Sequence, residues 1–277
     1  MSYSKYVRSA LVFALIFMAF FAVIEYLPTG QFSVVSIAFH FVGGLLLGFV
    51  VGFVSSRLPF RNSIRIASLW LALFVIQYFA NLVEYYFYST VSLSGILPDL
   101  AEGLFVTLIE AVLIALLFVP VTRESAIGIE MKEFFEQRPG SSWVSRIVIS
   151  SLVWIPIYFA FGMVVFPFIA PYYTDPSLGL SLTLPSFGIV IPLQFVRGLI
   201  YVLVLLPLIA ALRIGRKYLF GVLTLVLYVP GAFIPLLTNV LWPVTLRMIH
   251  GIEVLGDFVV FAAVIVALLK KKEGSSP

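Results

Sequence analysis

One apolar stretch near the C-terminal end, residues 244–269, carries Arg247, His250, Glu253 and Asp257. At about 100° per residue these four fall within an arc of ~120° on a helix and rise ~15 Å along it. A charge inside hydrocarbon costs about 3 kcal/mol or more, so such a ladder is expected to face the interior of a bundle and to serve protons or a ligand. In that setting Glu253 and Asp257 would accept a proton or a cation, and His250 would relay protons near neutral pH. Arg197 lies in another apolar stretch, with Gln194 one turn before it. Together with Arg247 it would anchor an anionic group or hold carboxylates charged, and Glu253 or Asp257 is its expected partner. A second tier holds His40, Glu84, Glu102 and Glu110, with Asn81 beside Glu84, and with Asp99, Asp175 and Glu25 at segment ends.

Four functions are compatible with this set. The leading expectation is a transporter-like or ligand-binding membrane protein with a polar site in the outer half of the bundle, coupled to a proton or a cation. A redox protein would instead hold one b-type haem between His40 and His250, whose depths match. An intramembrane enzyme would use His250 and Glu253 as acid–base partners. However, nothing supplies a nucleophile, and the chain has no HExxH, GxSxG, Walker loop or Rossmann glycine pattern. A structural or assembly protein would use the buried charges only to fix helix register. No catalytic residue is assigned, and two histidines without a cysteine are too few for a closed metal site.

Residues of this kind need apolar helices to hold them, and the composition supplies little else. The 277 residues are 62% hydrophobic and 11% charged, with a mean hydropathy of +1.13. Soluble domains are about 25% charged, so a cytosolic enzyme, a nucleic-acid-binding domain and a disordered chain are excluded. The expected fold is all-α and polytopic, because about 20 apolar residues cross ~30 Å of hydrocarbon. Eight runs qualify, spans 1 to 8, at roughly 7–27, 34–54, 64–88, 99–121, 146–170, 188–212, 218–240 and 244–269. Placing the N-terminus inside puts Lys5, Arg8, Arg57, Arg61, Arg65, Arg123, Lys132, Arg138, Arg146, Arg213, Arg216, Lys217 and Lys270 to Lys272 in cytoplasmic segments. The opposite loops then hold no lysine or arginine, so both termini are expected to be cytoplasmic, in a plasma or inner membrane. The net charge of +4 thus reports topology and contact with the lipid bilayer, not a nucleic-acid partner. The remaining partner would be a small ligand or ion.

The spans also suggest one unit used twice. Leu11 to Phe20 (LVFALIFMAF) resembles Leu152 to Phe161 (LVWIPIYFAF), Phe41 to Leu45 resembles Phe195 to Leu199, and Ile109-Glu110 resembles Ile252-Glu253. A tandem 4+4 duplication follows, 1–121 and 146–277, with a pseudo-twofold axis along the membrane normal. Segment 122–145 would be a cytoplasmic linker. In it Ile127, Met131, Phe134 and Phe135 would share one face of an interfacial helix, opposite Glu130, Glu133 and Glu136. The eight-span duplicated layout resembles haem A synthase-like membrane proteins in architecture alone, since each half here has a single histidine, at non-equivalent positions. Prolines 156, 167, 192, 207, 230 and 235 fall in or near spans of the second half, whose freed carbonyls would need partners and point to a cavity there. Gly44, Gly48 and Gly52 form a smooth stripe on span 2, for packing within the chain or for a homodimer.

Overall fold

A computed structural model describes residues 2–30, 33–120, 125–178, 180 and 182–270, with the side chains of Glu25, Pro28, Thr29 and Pro176 left aside. Among these residues the chain is helical, with one isolated bridge between Ser89 and Leu182. Eight helices are long and apolar enough to cross a membrane, which makes this an integral membrane protein. They are span 1 (Tyr3–Thr29), span 2 (Val34–Ser55), span 3 (Asn62–Tyr88) and span 4 (Leu93–Leu117). The second four are span 5 (Gly140–Thr174), span 6 (Phe187–Ala211), span 7 (Arg216–Thr238) and span 8 (Val244–Leu269). An even number of crossings puts both ends of the chain on one side, called here the termini side.

Three expectations need correction. Span 4 starts at Leu93, where Ser92 accepts a hydrogen bond from the Gly95 N–H (3.3 Å), so Pro98 is carried inside the helix. Span 5 starts at Gly140 and takes in six residues assigned to the linker, because a hydropathy window marks only the apolar part of a longer helix. Its polar first turns are satisfied locally: Arg146 donates to Ser142 Oγ (3.2 Å) and to the Leu268 carbonyl (2.7 Å). The linker helix forms at Ile127–Phe135, but Glu130 lies in its buried face, 3% exposed. Arg213 reaches over it with Nη2 2.9 Å from Glu130 Oε1, which makes burial of the carboxylate tolerable. Arg123, Lys271 and Lys272 lie outside the described residues.

Five basic residues of the termini side, Arg65, Arg138, Arg146, Arg216 and Lys270, donate to carbonyls at or near helix ends, which lack partners and carry partial negative charge. Arg65 donates to Ala115 O at the end of span 4 (2.7 Å), and Lys270 to Leu212 O just beyond span 6 (3.0 Å). Span 8 is capped by Arg138 on Leu269 O and Arg216 on Val266 O.

Span 1 lies along span 2, and span 5 lies between spans 6 and 8. The glycine stripe of span 2 is filled from within the chain. A Cβ on Gly44 would meet Phe17, on Gly48 Phe13 and Ala10, and on Gly52 Phe118. All three glycines are buried, so the stripe has no open face for a second copy. Spans 3 and 7 each widen into a π-helical turn, at Phe74–Phe79 and Val229–Phe233, and the two turns meet where Gly231 approaches Ile76. Pro235 has no N–H to offer the Gly231 carbonyl one turn back; Asn81 Nδ2 donates to it instead, at 2.8 Å. A carbonyl freed in the second half is thus satisfied by a side chain of the first, as hydrocarbon requires.

Candidate functional site

A cavity of about 800 Å³ occupies the half of the bundle away from the termini, and every span contributes to its wall. Span 8 supplies His250, Glu253 and Asp257, whose i, i+3, i+7 spacing keeps them on one face. Further toward the termini side this face continues as Phe261 and Ile265, both 0% exposed. Trp154, Tyr201, Phe258 and Phe261 pack there as an aromatic floor: Trp154 stacks on Phe258 (5.6 Å, 23°) and meets Phe261 edge-on at 4.8 Å. At the far side the cavity reaches the surface at Leu241, 87% exposed, and passes the loop residues Leu182 and Trp242.

On span 6, Gln194, Arg197 and Tyr201 form a buried stripe, again at i, i+3, i+7. Arg197 does not pair with Glu253 or Asp257, as the sequence led one to expect. Its Nη1 lies 2.6 Å from Glu84 Oε1 on span 3 and 3.0 Å from Gln194 Oε1, while Nη2 donates to Tyr201 OH at 3.3 Å. Gln194 closes the network: it accepts from Trp154 Nε1 (2.9 Å) and donates from Nε2 to Glu84 (3.1 Å). The guanidinium is therefore neutralised and held in a network that joins spans 3, 5 and 6.

The acids of span 8 are placed differently. His250 Nδ1 and Glu253 Oε2 approach to 2.8 Å, but off the line of a hydrogen bond, and neither atom has another hydrogen-bond partner. Asp257, 2% exposed, has no hydrogen-bond donor on Oδ1. Gly162 on span 5 leaves space beside Glu253, where a Cβ would stand 3.4 Å from Oε1.

Several expected residues fall elsewhere. Arg247 lies at the edge of the span 8 arc and turns away from the cavity, donating to the carbonyls of Leu236 (3.3 Å) and Leu237 (3.1 Å) at the end of span 7. Glu110 is buried outside the cavity wall, 3.4 Å from Gln77 Nε2. His40 does border the cavity; it stacks on Phe21 (4.5 Å) and its Nδ1 lies 2.9 Å from Ser36 O. Both histidines of the chain thus face one space. Asp99 and Glu102 border it too, on exposed positions of span 4. Asp175 is fully exposed beyond span 5, and hydrogen bonds from the Ser177 hydroxyl and N–H hold its carboxyl below the usual range.

Sequence reasoning gave no part to Trp154, Tyr158 and Tyr88, although a tryptophan and two tyrosines on apolar spans were a usable signal. The Tyr158 hydroxyl donates to that of Tyr88 at 2.6 Å, tying span 5 to span 3 across the wall. Asp99 and Glu102 occupy the seventh and tenth positions of span 4, as His250 and Glu253 do in span 8. No three His, Asp or Glu side chains among the described residues converge to hold a metal ion. No family model, curated protein or solved structure matches the chain.

Proposed function

We propose that this protein is of the transporter-like or ligand-binding type, with both termini cytoplasmic and the cavity open to the outside of a plasma or inner membrane. One observation carries the reading: Glu253 and Asp257 are buried on the wall of a large cavity, and each keeps an oxygen without a hydrogen-bond donor. A membrane protein that used Asp257 only for packing would pair it, because an unsatisfied buried charge is expensive, and Glu253 has only His250, a neighbour on its own helix. Here Glu84 already neutralises Arg197, so Arg197 acts as a fixed post and the span 8 acids are the groups left to meet a proton or a cation. The aromatic floor would close the site to the inside in this conformation.

A tandem duplication of four spans fits the same picture. It is supported by the π-helical turns in spans 3 and 7, by the glycine contacts of spans 2 and 6 with spans 1 and 5, and by the shared positions of Asp99/Glu102 and His250/Glu253. Binding between two such halves is a recurrent arrangement in transporters.

The chain has no cysteine, which allows a direct test. In right-side-out vesicles, Asp257→Cys and Thr238→Cys should react with a membrane-impermeant thiol reagent added outside. Ile265→Cys, below the floor, should not. Failure of both cavity positions to react would leave the charges with a structural role. Because His40 and His250 border one space, a b-type haem is the second reading. It requires a Soret band in protein purified from haem-supplied cells, and a colourless preparation removes it.

A further inference from the structure

The cavity wall combines features that together specify the chemistry of its guest. Five carboxylates border it, Glu84, Asp99, Glu102, Glu253 and Asp257, against one guanidinium, and that guanidinium is engaged by Glu84. Counting His40 and His250, the wall still holds more acidic than basic side chains, and in a site of low dielectric that excess favours a positively charged guest. Asp257 Oδ1, and outside its ion pair with His250 Glu253 Oε2, meet no donor of the protein although both residues are at least nine-tenths buried. The volume of about 800 Å³ is that of a small-molecule site and far exceeds what a bare ion fills. The absence of a three-ligand cluster among the described residues likewise disfavours a metal ion. Around the acids stand aromatic side chains, among them Tyr78, Tyr85, Tyr88, Tyr158 and Trp242. Faces of such rings attract cations, most strongly where water is excluded. The Tyr158 hydroxyl donates its proton to that of Tyr88, so Tyr158 presents its ring and not a donor to the cavity.

We propose that the cavity binds lipophilic organic cations, protonated amines or quaternary onium ions with an aromatic or aliphatic body. The charge sits between Glu253 and Asp257 and the body lies against the tyrosine wall. Asp99 and Glu102, at the exposed margin, draw the cation in but do not hold it. The proposal rests on the functional reading above and adds the class of ligand to it.

The test uses tetraphenylphosphonium and tetraphenylborate, which share size and apolar surface and differ in the sign of charge. Equilibrium dialysis of the purified full chain in a neutral detergent should show saturable binding of tetraphenylphosphonium. Tetraphenylborate should not compete. Glu253→Gln and Asp257→Asn should each weaken binding at least tenfold, whereas Glu102→Gln should change it no more than twofold. Should either acid variant fail to fold, Tyr158→Ala, which keeps every charge, should still weaken binding severalfold by removing a wall ring. Equal binding of the borate, or phosphonium binding indifferent to Glu253→Gln, Asp257→Asn and Tyr158→Ala, overturns the proposal. If the thiol reagent reaches position 257 yet no phosphonium binds, the cavity stands and its guest is another chemistry; if neither occurs, the functional reading falls as well.

Discussion

Spans 4 and 8 carry titratable pairs at the same two positions from their first residue, yet the two pairs have different surroundings. Asp99 and Glu102 are exposed at the margin of the cavity, whereas Glu253 is 5% exposed beneath it. The cause is the company each helix keeps. Span 5 packs along span 8 from Leu268 to Glu253, and Gly162 admits the Glu253 carboxylate between them. Span 1 touches span 4 far less, and the side chain that crowds Gly103 there is Tyr78 of span 3. Identical spacing can therefore produce a surface pair or a buried one, and the neighbouring helix decides which.

The largest expected effect comes from breaking the buried ion pair of Arg197 with Glu84, which joins spans 6 and 3. Glu84→Ala leaves Arg197 in a dry setting without a counter-charge and should lower stability by about 3 kcal/mol, read from unfolding in detergent. Glu102→Ala, at its exposed site, should change it by less than about 0.5 kcal/mol. Equal effects would erase the contrast between the two regions. Glycine substitutions sharpen it next. A Cβ on Gly198 would stand 2.6 Å from the Ser151 carbonyl, which is backbone and cannot swing aside. Gly198→Ala should thus cost about 2 kcal/mol. Gly44→Ala meets only the Phe17 side chain, near 2.9 Å, and should cost about half as much. The reverse ranking in matched thermal melts would mean that spans 1 and 2 are the tighter pair.

Asn81→Leu removes the donor on the Gly231 carbonyl and should cost about 1–2 kcal/mol. Amide exchange should rise around Gly231 and stay level in span 4. Smallest of all is Lys132→Ala on the linker helix. Its 3.8 Å contact with Glu136 is exposed on both sides, so stability should hold to within about 0.5 kcal/mol.

The eight spans were legible because crossing hydrocarbon demands long apolar runs, and the His250–Asp257 face because helical spacing is fixed by geometry. What hydropathy could not locate were helix ends in polar sequence, hence the early starts of spans 4 and 5. Partners across the bundle were harder still. Glu84 was noticed as an acid near the end of span 3, but nothing along the chain relates it to Arg197, a hundred residues on; only the packing of span 3 against span 6 does. Arg247 shares the arc of the ladder, yet at the rim of that arc it meets bare carbonyls one helix away. Glu130 was placed toward water by its charge, and Arg213, remote in sequence, allowed it inward.

The fifth helix has a consequence for the lipid around it. Its 35 residues extend roughly 50 Å, against a hydrocarbon slab of ~30 Å. Even leaning by about 40°, the steepest slant common for such helices, it still covers about 40 Å of depth. Both tips must then stand among headgroups, the serines and Arg146 at one leaflet and Tyr172 with Tyr173 at the other. A thinner bilayer would leave more of this helix outside hydrocarbon, and any change in its slant would reach the cavity wall through its contacts with span 8.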